Sequence, residues 1–157
     1  MLMPWPTEDR PSSAANIANQ LGLAGLLQRR PDRRITVTEE ARRWLDGAGD
    51  VYLITVLHRH VRFVGELLAE LRPKGLTAEE IRQVANDKYL LEWSGVDQVR
   101  RRCAWLQAAN LVEHRFDHVF LRTQLGAELL TELNIIDPAD FGRSDFQLPV
   151  GSSAAPR

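Results

Sequence analysis

A segment of the chain repeats itself after 85 residues without a gap, and this repeat constrains the fold more than any other feature. The shift keeps small, apolar and turn positions in step across a helix end, a two-strand turn and the start of the next helix. The matched pairs are Leu21 with Leu106, Ala24 with Ala109, Leu26-Leu27 with Leu111-Val112, Arg30 with Arg115, Asp32 with Asp117, Thr38 with Thr123, and Leu45 with Leu130. Self-similarity of this kind is typical of a repeated supersecondary unit. The sequence therefore predicts a helix, a hairpin and a helix, twice.

The first copy carries local signals for each of these elements. Apolar residues at helical spacing predict a helix over Ala14 to Leu23, and the turn pair Pro31-Asp32 separates two short strands. Thr38 offers an N-cap oxygen to the second helix. The residues expected to face inward on that helix are Ala41, Trp44 and Leu45.

Two further helices precede the second copy. Val51 to Leu71 is predicted to form one long helix, buried on two sides because apolar residues recur on several of its faces. A capping box at Thr77 and Glu80 opens the next helix, and Ser94 is the expected N-cap of a third that runs to Ala109. Thr123 caps a last helix that extends to Leu133.

These elements divide the chain into four predicted parts. Residues 1–13 form a flexible leader, 14–50 a partial unit, 51–133 a complete unit, and 134–157 an acidic, partly disordered tail. The predicted fold class is mainly α with small β-hairpins.

The charge, the cysteine content and the lengths of the apolar runs exclude several classes of protein. The 20 basic and 21 acidic residues give a net charge of −1, which argues against a histone-like binder that coats nucleic acid. The arginines are nevertheless clustered, so local positive patches are expected. A single cysteine, Cys103, excludes an internal disulfide, and no apolar run is long enough to span a bilayer. We therefore expect a cytoplasmic protein with no membrane association.

The stretch from Arg102 to Glu113, followed by Thr123 to Gly126, resembles the winged helix-turn-helix family. It is similar to the pattern R-x-x-W-L-x-x-x-G-L-v … L-T-x-x-G of paired winged helices in bacterial regulators and restriction-type defence proteins. Asn110 replaces the usual Gly, and Arg122 replaces the usual Leu. The resemblance implies one complete and one partial winged helix-turn-helix unit, and the same fold also serves protein contacts.

In such a unit the last helix of the trio lies in the DNA major groove. The residues expected to contact DNA from this helix are Gln98, Arg100, Arg101 and Arg102. Arginine can bind guanine and glutamine can bind adenine through paired hydrogen bonds. The alternative is a solvated face whose arginines form salt bridges with Asp97 or Glu92.

The two hairpin tips, or wings, supply further expected DNA contacts. Four arginines surround the first tip, an arrangement suited to phosphates or a narrow minor groove; they are Arg29, Arg30, Arg33 and Arg34. Arg115 is the expected contact at the second tip. For His114 and His118 the favoured interpretation is an exposed, polar hairpin without a specific role.

Catalytic and metal sites are not predicted. His58 and His60 are two residues apart on a helix and therefore point to different faces. His114, His118 and Asp117 could meet, but an exposed trio of this kind is rarely a zinc site. Cys103 falls on the buried stripe and is expected to be an inert core thiol.

The leading hypothesis is a non-enzymatic protein that binds double-stranded DNA with a sequence preference and no cofactor, as a transcriptional regulator or the recognition module of a defence system. The rival is a protein-interaction module that self-associates or binds an acidic partner. Because the partial unit lacks two helices that would cover its apolar residues, we also expect a homodimer.

Overall fold

The computed structural model describes residues 11–71 and 73–140. It is mainly helical with small antiparallel sheets, which confirms the predicted fold class at that level. The elements in chain order are α1 (Pro11–Leu23), β1 (Leu27–Arg29), β2 (Ile35–Val37), α2 (Glu39–Arg43), α3 (Asp50–His60), α4 (Gly65–Glu70), β3 (Leu76–Thr77), α5 (Ala78–Tyr89), α6 (Asp97–Ala108), β4 (Val112–His114), β5 (Val119–Arg122) and α7 (Gln124–Leu130). Within the described ranges, no helix has both the length and the apolarity needed to cross a membrane.

The two copies of the repeat share their capping hydrogen bonds. Thr38 Oγ1 accepts the N–H three residues on at 3.2 Å and donates to the carbonyl of Gly25 at 2.7 Å. Thr123 Oγ1 accepts the corresponding N–H at 3.1 Å and donates to the carbonyl of Asn110 at 2.7 Å. Gly25 and Asn110 both take the left-handed backbone that ends a helix, with φ of 80° and 59°. The predicted caps and helix end are thus confirmed in both copies.

The two hairpins share their register and their turn. Leu27 lies opposite Val37 in the first, and Val112 lies opposite Arg122 in the second. In each turn the N–H of Arg30 or Arg115 bonds the carbonyl four residues on, at 2.8 and 2.9 Å. The repeat found in the sequence is therefore a repeat of backbone geometry.

The sheets differ in one strand that the sequence did not predict. β3 pairs antiparallel with β5, with Leu76 opposite Phe120, so the second sheet has the order β3-β5-β4. The first sheet contains only β1 and β2 among the described residues. β3 escaped prediction because two residues carry no periodicity.

The single long helix predicted for Val51 to Leu71 is wrong. Val61 is extended and Phe63 has a left-handed backbone with φ of 62°, so α3 ends at His60 and α4 begins at Gly65. The break buries the Phe63 ring edge-on against Tyr89 and Trp93, with centroids 4.9 and 5.6 Å apart. The apolar residues keep a helical spacing across the break because α3 and α4 both contribute side chains to the same core.

α3 holds the first copy against the rest of the chain. Glu40 of α2 accepts from Arg59 at 2.7 Å and lies 3.1 Å from His60 Nε2. The His60 ring packs so closely on Gly25 that a Cβ there would overlap it. α3 therefore contacts the first copy through Glu40 of α2 and through Gly25 at the end of α1, and α4 packs against α7 of the second copy.

Several predicted boundaries and burials need correction. α1 begins at Pro11, inside the expected leader, since proline is tolerated in a first helical turn. α6 begins at Asp97 with Val96 as its N-cap, so Ser94 does not cap it. The last helix ends at Leu130 instead of Leu133. Leu45 is 65% exposed, because the chain leaves helical geometry at Gly47 in the wide turn after α2.

The first residues of the expected acidic tail are anchored to the core. His58 Nε2 bonds the carbonyl of Asn134 at 2.9 Å, and the Ile136 N–H donates to Glu66 Oε1 at 3.2 Å. Glu66 is itself buried at the start of α4. Residues 134–136 therefore belong to the folded unit, whereas residues 1–10 and 141–157 lie outside the described residues.

Candidate nucleic-acid interface

α5 and α6 are joined by a short turn that the side chains of Asn86 and Arg82 hold through hydrogen bonds to Trp93. Asn86 Oδ1 accepts the Trp93 N–H at 2.8 Å, and Asn86 Nδ2 donates to the Trp93 carbonyl at 2.9 Å. Arg82 donates to the same carbonyl at 3.1 Å. Leu90 adopts the left-handed conformation that ends α5. The start of α6 is therefore fixed relative to α5 by hydrogen bonds as well as by packing.

α6 has a buried side and an outward side. Val99, Cys103 and Leu106 are buried, as the sequence predicted. We call its exposed side the α6 face; its members are Asp97, Arg100, Arg101, Ala104, Gln107 and Ala108. Two small alanines among long polar side chains leave room for a ligand to approach the helix axis closely.

Arg100 and Arg101 are exposed, and neither forms an ion pair or side-chain hydrogen bond with any described residue. The salt bridges to Asp97 or Glu92 that the alternative hypothesis required are not formed. Two guanidinium groups on one helix face are thus available to an anionic ligand.

Arg102 must be removed from the predicted DNA contacts. Its residue is only 7% exposed, and its guanidinium donates to the carbonyl of Arg62 at 2.8 Å and to the carbonyl of Gln98 at 3.1 Å. It lies over the Trp93 ring, 4.7 Å from the centroid. Burial, reinforced by the charge of Arg101, lowers the pKa of Arg102 to about 10, which leaves it charged at neutral pH. Arg102 ties α6 to the break between α3 and α4.

Gln98 is also drawn inward. It is half-buried, and its Oε1 accepts from Arg102 at 2.9 Å, so it positions Arg102 rather than extending from the α6 face. Cys103, on the buried side of α6, carries a thiol whose pKa burial raises to about 12. An inert thiol is the expected consequence.

An open groove of about 360 Å³ separates the starts of α5 and α6 from the second hairpin. It is lined by Thr77, Ala78, Glu79, Val96, Arg100, His114, His118 and Phe120. The His114 ring stacks on Phe120 with centroids 4.3 Å apart and lies 6.1 Å from the His118 ring. The groove therefore places two imidazoles opposite an unpaired guanidinium.

The sequence interpretation underrated His114 and His118. The signal that could have found them is the repeat itself, which aligns them with Arg29 and Arg33. Basic side chains thus recur at the same two hairpin positions. Arg115, which was predicted to contact DNA, is exposed and pairs with Asp117 at 2.9 Å.

The four predicted arginines of the first hairpin are all exposed; they are Arg29, Arg30, Arg33 and Arg34. Arg34 lies 3.6 Å from Asp32, and the other three form no ion pair with a described residue. The left-handed backbone at Arg33, with φ of 67°, closes the turn. The structure keeps this cluster at one tip, on a different hairpin from the groove.

The histidines of α3 serve separate structural contacts. His58 Nδ1 accepts the Gly65 N–H at 3.1 Å, whereas His60 faces Glu40. In the described part of the chain, no group of three or more His, Cys, Asp or Glu side chains could hold a metal ion.

Comparisons of the chain with family models, with curated proteins and with solved structures give no match. The functional argument therefore rests on the geometry of this chain.

Proposed function

We propose that the chain binds double-stranded DNA, without catalysing a reaction, through the α6 face and the adjoining groove. In this proposal α4 to α7 form a winged helix-turn-helix unit, and α1 to α2 form a partial one. The observation that carries it is the pair of exposed, unpaired arginines, Arg100 and Arg101, on the second helix of a helix-turn-helix. That helix is the one such motifs insert into the major groove.

The residue types on the α6 face suit base contacts. Arg100 and Arg101 can donate two parallel hydrogen bonds to guanine, and Gln107 can pair with adenine. Because the side chain of Ala104 is small, a base edge can approach the backbone in the middle of the α6 face. The sequence predicted Gln98 for an adenine contact, but the Gln98 side chain is hydrogen-bonded to Arg102. We therefore assign the adenine contact to Gln107.

The groove and the first hairpin suit phosphate contacts. Arg100, His114 and His118 surround a space of about 360 Å³ open to solvent. The arginines of the first hairpin add a cationic tip. Phosphate contacts fix register on the duplex and make affinity depend on salt.

We further propose that the protein acts as a homodimer, as a regulator or as the recognition module of a defence system. Support comes from the first copy, which leaves apolar side chains exposed, namely Ile17, Leu21, Leu23, Ile35 and Leu45. The same exposure favours the second candidate function, a protein-interaction module without DNA binding. Exposed apolar side chains concentrated in one part of a chain favour an interaction surface there.

A DNA titration tests the proposal. Arg100→Ala combined with Arg101→Ala should weaken binding to duplex DNA at least tenfold, since each lost bidentate contact costs about 1–3 kcal/mol. The slope of log K against log salt should fall by roughly one for each lost phosphate contact. The measurement is fluorescence anisotropy with labelled duplex over a range of salt.

The charge control is Arg42→Ala combined with Arg43→Ala, two adjacent exposed arginines on α2, of which Arg43 pairs with Glu39; sedimentation checks that this variant keeps the oligomeric state of the wild type. Their loss removes the same charge far along the chain from α6. DNA affinity equal in the α6 variant and the wild type would contradict the proposal. The absence of any salt-dependent DNA binding by the wild type would favour the interaction-module alternative.

A further inference from the structure

The first copy of the repeat has an open sheet edge where the second copy has a strand. Shifting the second copy back by 85 residues places Phe120, the partner of Leu76 in β3, on Ile35 of β2. In the described residues β2 pairs only with β1. The elements missing from the first copy are therefore a strand like β3 and the helix that follows it.

We infer that a second copy of this chain supplies those elements through its own β2 and α2. The two segments share the junction of a strand with a threonine-capped helix, whereas α5 has 12 residues and α2 has five, and the positions of the buried Ile81 and Ala85 are taken by Arg42 and Asp46. β3 runs into α5 through the cap Thr77, and β2 runs into α2 through the cap Thr38. This inference rests on the homodimer of the proposed function and adds to it a specific interface.

The register of β3 on β5 transfers to a symmetric pairing. Leu76 is the residue before its cap, as Val37 is before Thr38, so the partner's Val37 lies opposite Ile35. The reverse pairing, Val37 opposite the partner's Ile35, is then automatic. The pairing is symmetric about a twofold axis that passes through Thr36, as a closed dimer requires.

The backbone of β2 is ready for that pairing. Thr38 N–H bonds Leu26 at 3.1 Å and Arg30 N–H bonds Arg34 at 2.8 Å, which fixes the alternation of the β1–β2 ladder. By that alternation the N–H and C=O groups of Ile35 and Val37 point away from β1. Both residues can therefore exchange hydrogen bonds with the partner's strand.

Thr36 provides an independent sign that something is missing at this edge. Its Oγ1 is the one buried side-chain polar atom without a hydrogen-bond partner among the described residues. At the twofold axis the backbone of Thr36 would face the partner's Thr36 in a close, non-hydrogen-bonded pair, and rotation about χ1 would bring Oγ1 out of its enclosed position to the partner's hydroxyl. The dimer would then give this hydroxyl a partner that the single chain lacks.

Charges at the same edge are complementary between copies. In the second repeat His118 and Ala78 line the same groove. The repeat aligns His118 with Arg33, and aligning the cap Thr77 with the cap Thr38 puts Ala78 on the partner's Glu39. Arg33 has no ion pair among the described residues, whereas the exposed Glu39, in the first turn of α2, lies 3.5 Å from Arg43 and would take the partner's Arg33 as a second cation. The inference assigns Arg33 to this contact and leaves Arg30 and Arg34 for DNA.

Apolar residues fill the remaining gap. Leu45 stands seven residues after its cap, as Val84 stands seven residues after Thr77, and Val84 packs against the core. In the dimer Leu45 has the corresponding place over the partner's α1, where Ile17 and Leu21 are exposed. Burying these side chains supplies the hydrophobic gain of the interface.

The test combines sedimentation with cysteine cross-linking of the full chain. Thr36→Cys should form a disulfide-linked dimer under mild oxidation, since about 4.5 Å between Cα atoms of such a pair suits a disulfide. The native Cys103 is buried and does not interfere. Leu125→Cys is the control, because Leu125 lies on α7 of the second copy and, at 40%, is more exposed than Thr36.

Cross-linking of Thr36→Cys but not of Leu125→Cys supports the inference. A dimer in sedimentation that fails to cross-link at position 36 overturns this interface and leaves the homodimer of the proposed function standing. A monomer at micromolar concentration overturns both, whereas the DNA titration still decides DNA binding.

A charge swap tests the same interface without an oxidant. Arg33→Glu should weaken dimerisation at least about tenfold, because it sets like charges against each other. Adding Glu39→Arg should restore the wild-type dimer, which a merely structural role for Arg33 would not do. Equal dimerisation in all three proteins overturns the assignment.

Discussion

The two copies of the repeat have the same backbone and different surroundings. Their caps, helix ends and hairpin turns agree bond for bond, yet Leu106 of α6 is fully buried and its counterpart Leu21 of α1 is 37% exposed. The difference arises because α5 and α3 pack against α6, whereas no helix packs in the same way against α1 among the described residues. Local sequence decides the turns, and neighbouring segments decide which residues form a core.

The largest expected effect on stability comes from truncating a buried leucine in the second copy and its exposed counterpart in the first. Leu106→Ala should lower the free energy of unfolding by about 2–5 kcal/mol, the usual cost of a cavity in a packed core. Leu21→Ala should cost less than about 1 kcal/mol when the chain is dilute enough to be monomeric. Chemical denaturation of both variants at low concentration provides the measurement. Equal costs would mean that the first copy has a closed core of its own.

The next effect concerns a charge that only the second copy buries. Arg102→Ala should destabilise the fold by about 1.5–3 kcal/mol, since it removes hydrogen bonds from a charged donor to the Arg62 and Gln98 carbonyls. Arg101→Ala, next along the helix but exposed, should stay within about 0.5 kcal/mol of the wild type. DNA affinity, measured in parallel, should fall for Arg101→Ala. A stable Arg102→Ala protein would show that its contacts add little.

The caps should give equal effects in the two copies. Thr38→Ala and Thr123→Ala each remove a hydroxyl that caps a helix and also bonds a helix-end carbonyl, so each should cost about 1 kcal/mol. Serine at either position should restore most of the loss. Unequal costs, read from denaturation midpoints, would break the equivalence of the two copies.

The smallest expected effect is on stability at alkaline pH, and no effect is expected at neutral pH. Cys103 has Ala18 as its counterpart, so only the second copy contains a thiol whose pKa is raised by burial to about 12. A raised pKa favours the folded state fully below the unfolded thiol's value of about 8.5, and this contribution is lost as pH rises toward 12. Stability should therefore fall above about pH 9, and Cys103→Ala should make that fall shallower. Identical slopes of stability against pH would contradict the assignment.

Prediction from the sequence succeeded where the chemistry is local. Thr38 and Thr123 cap because a hydroxyl lies within reach of an N–H three residues on, and Asn110 ends a helix because asparagine tolerates a left-handed backbone. The mainly helical fold with small hairpins followed from these signals and from apolar spacing.

Prediction failed where the outcome depends on distant partners. The break at Phe63 is set by Tyr89 and Trp93, which lie more than twenty residues away in the sequence. Arg102 sits among basic neighbours, and nothing local shows that the Arg62 carbonyl will bind it. For the candidate site, Arg100 and Arg101 were predicted as exposed, and the inward turn of Gln98 and Arg102 was not.

The anchoring of residues 134–136 fixes where a shortened form of this protein can end. A chain stopped at Leu133, after the last predicted helix, would leave the buried Glu66 carboxylate without the Ile136 N–H and His58 without the Asn134 carbonyl. Buried polar groups that lose a hydrogen-bond partner are costly. A protease that trims the C-terminus should therefore pause beyond Ile136 and should unfold the protein if it goes past it.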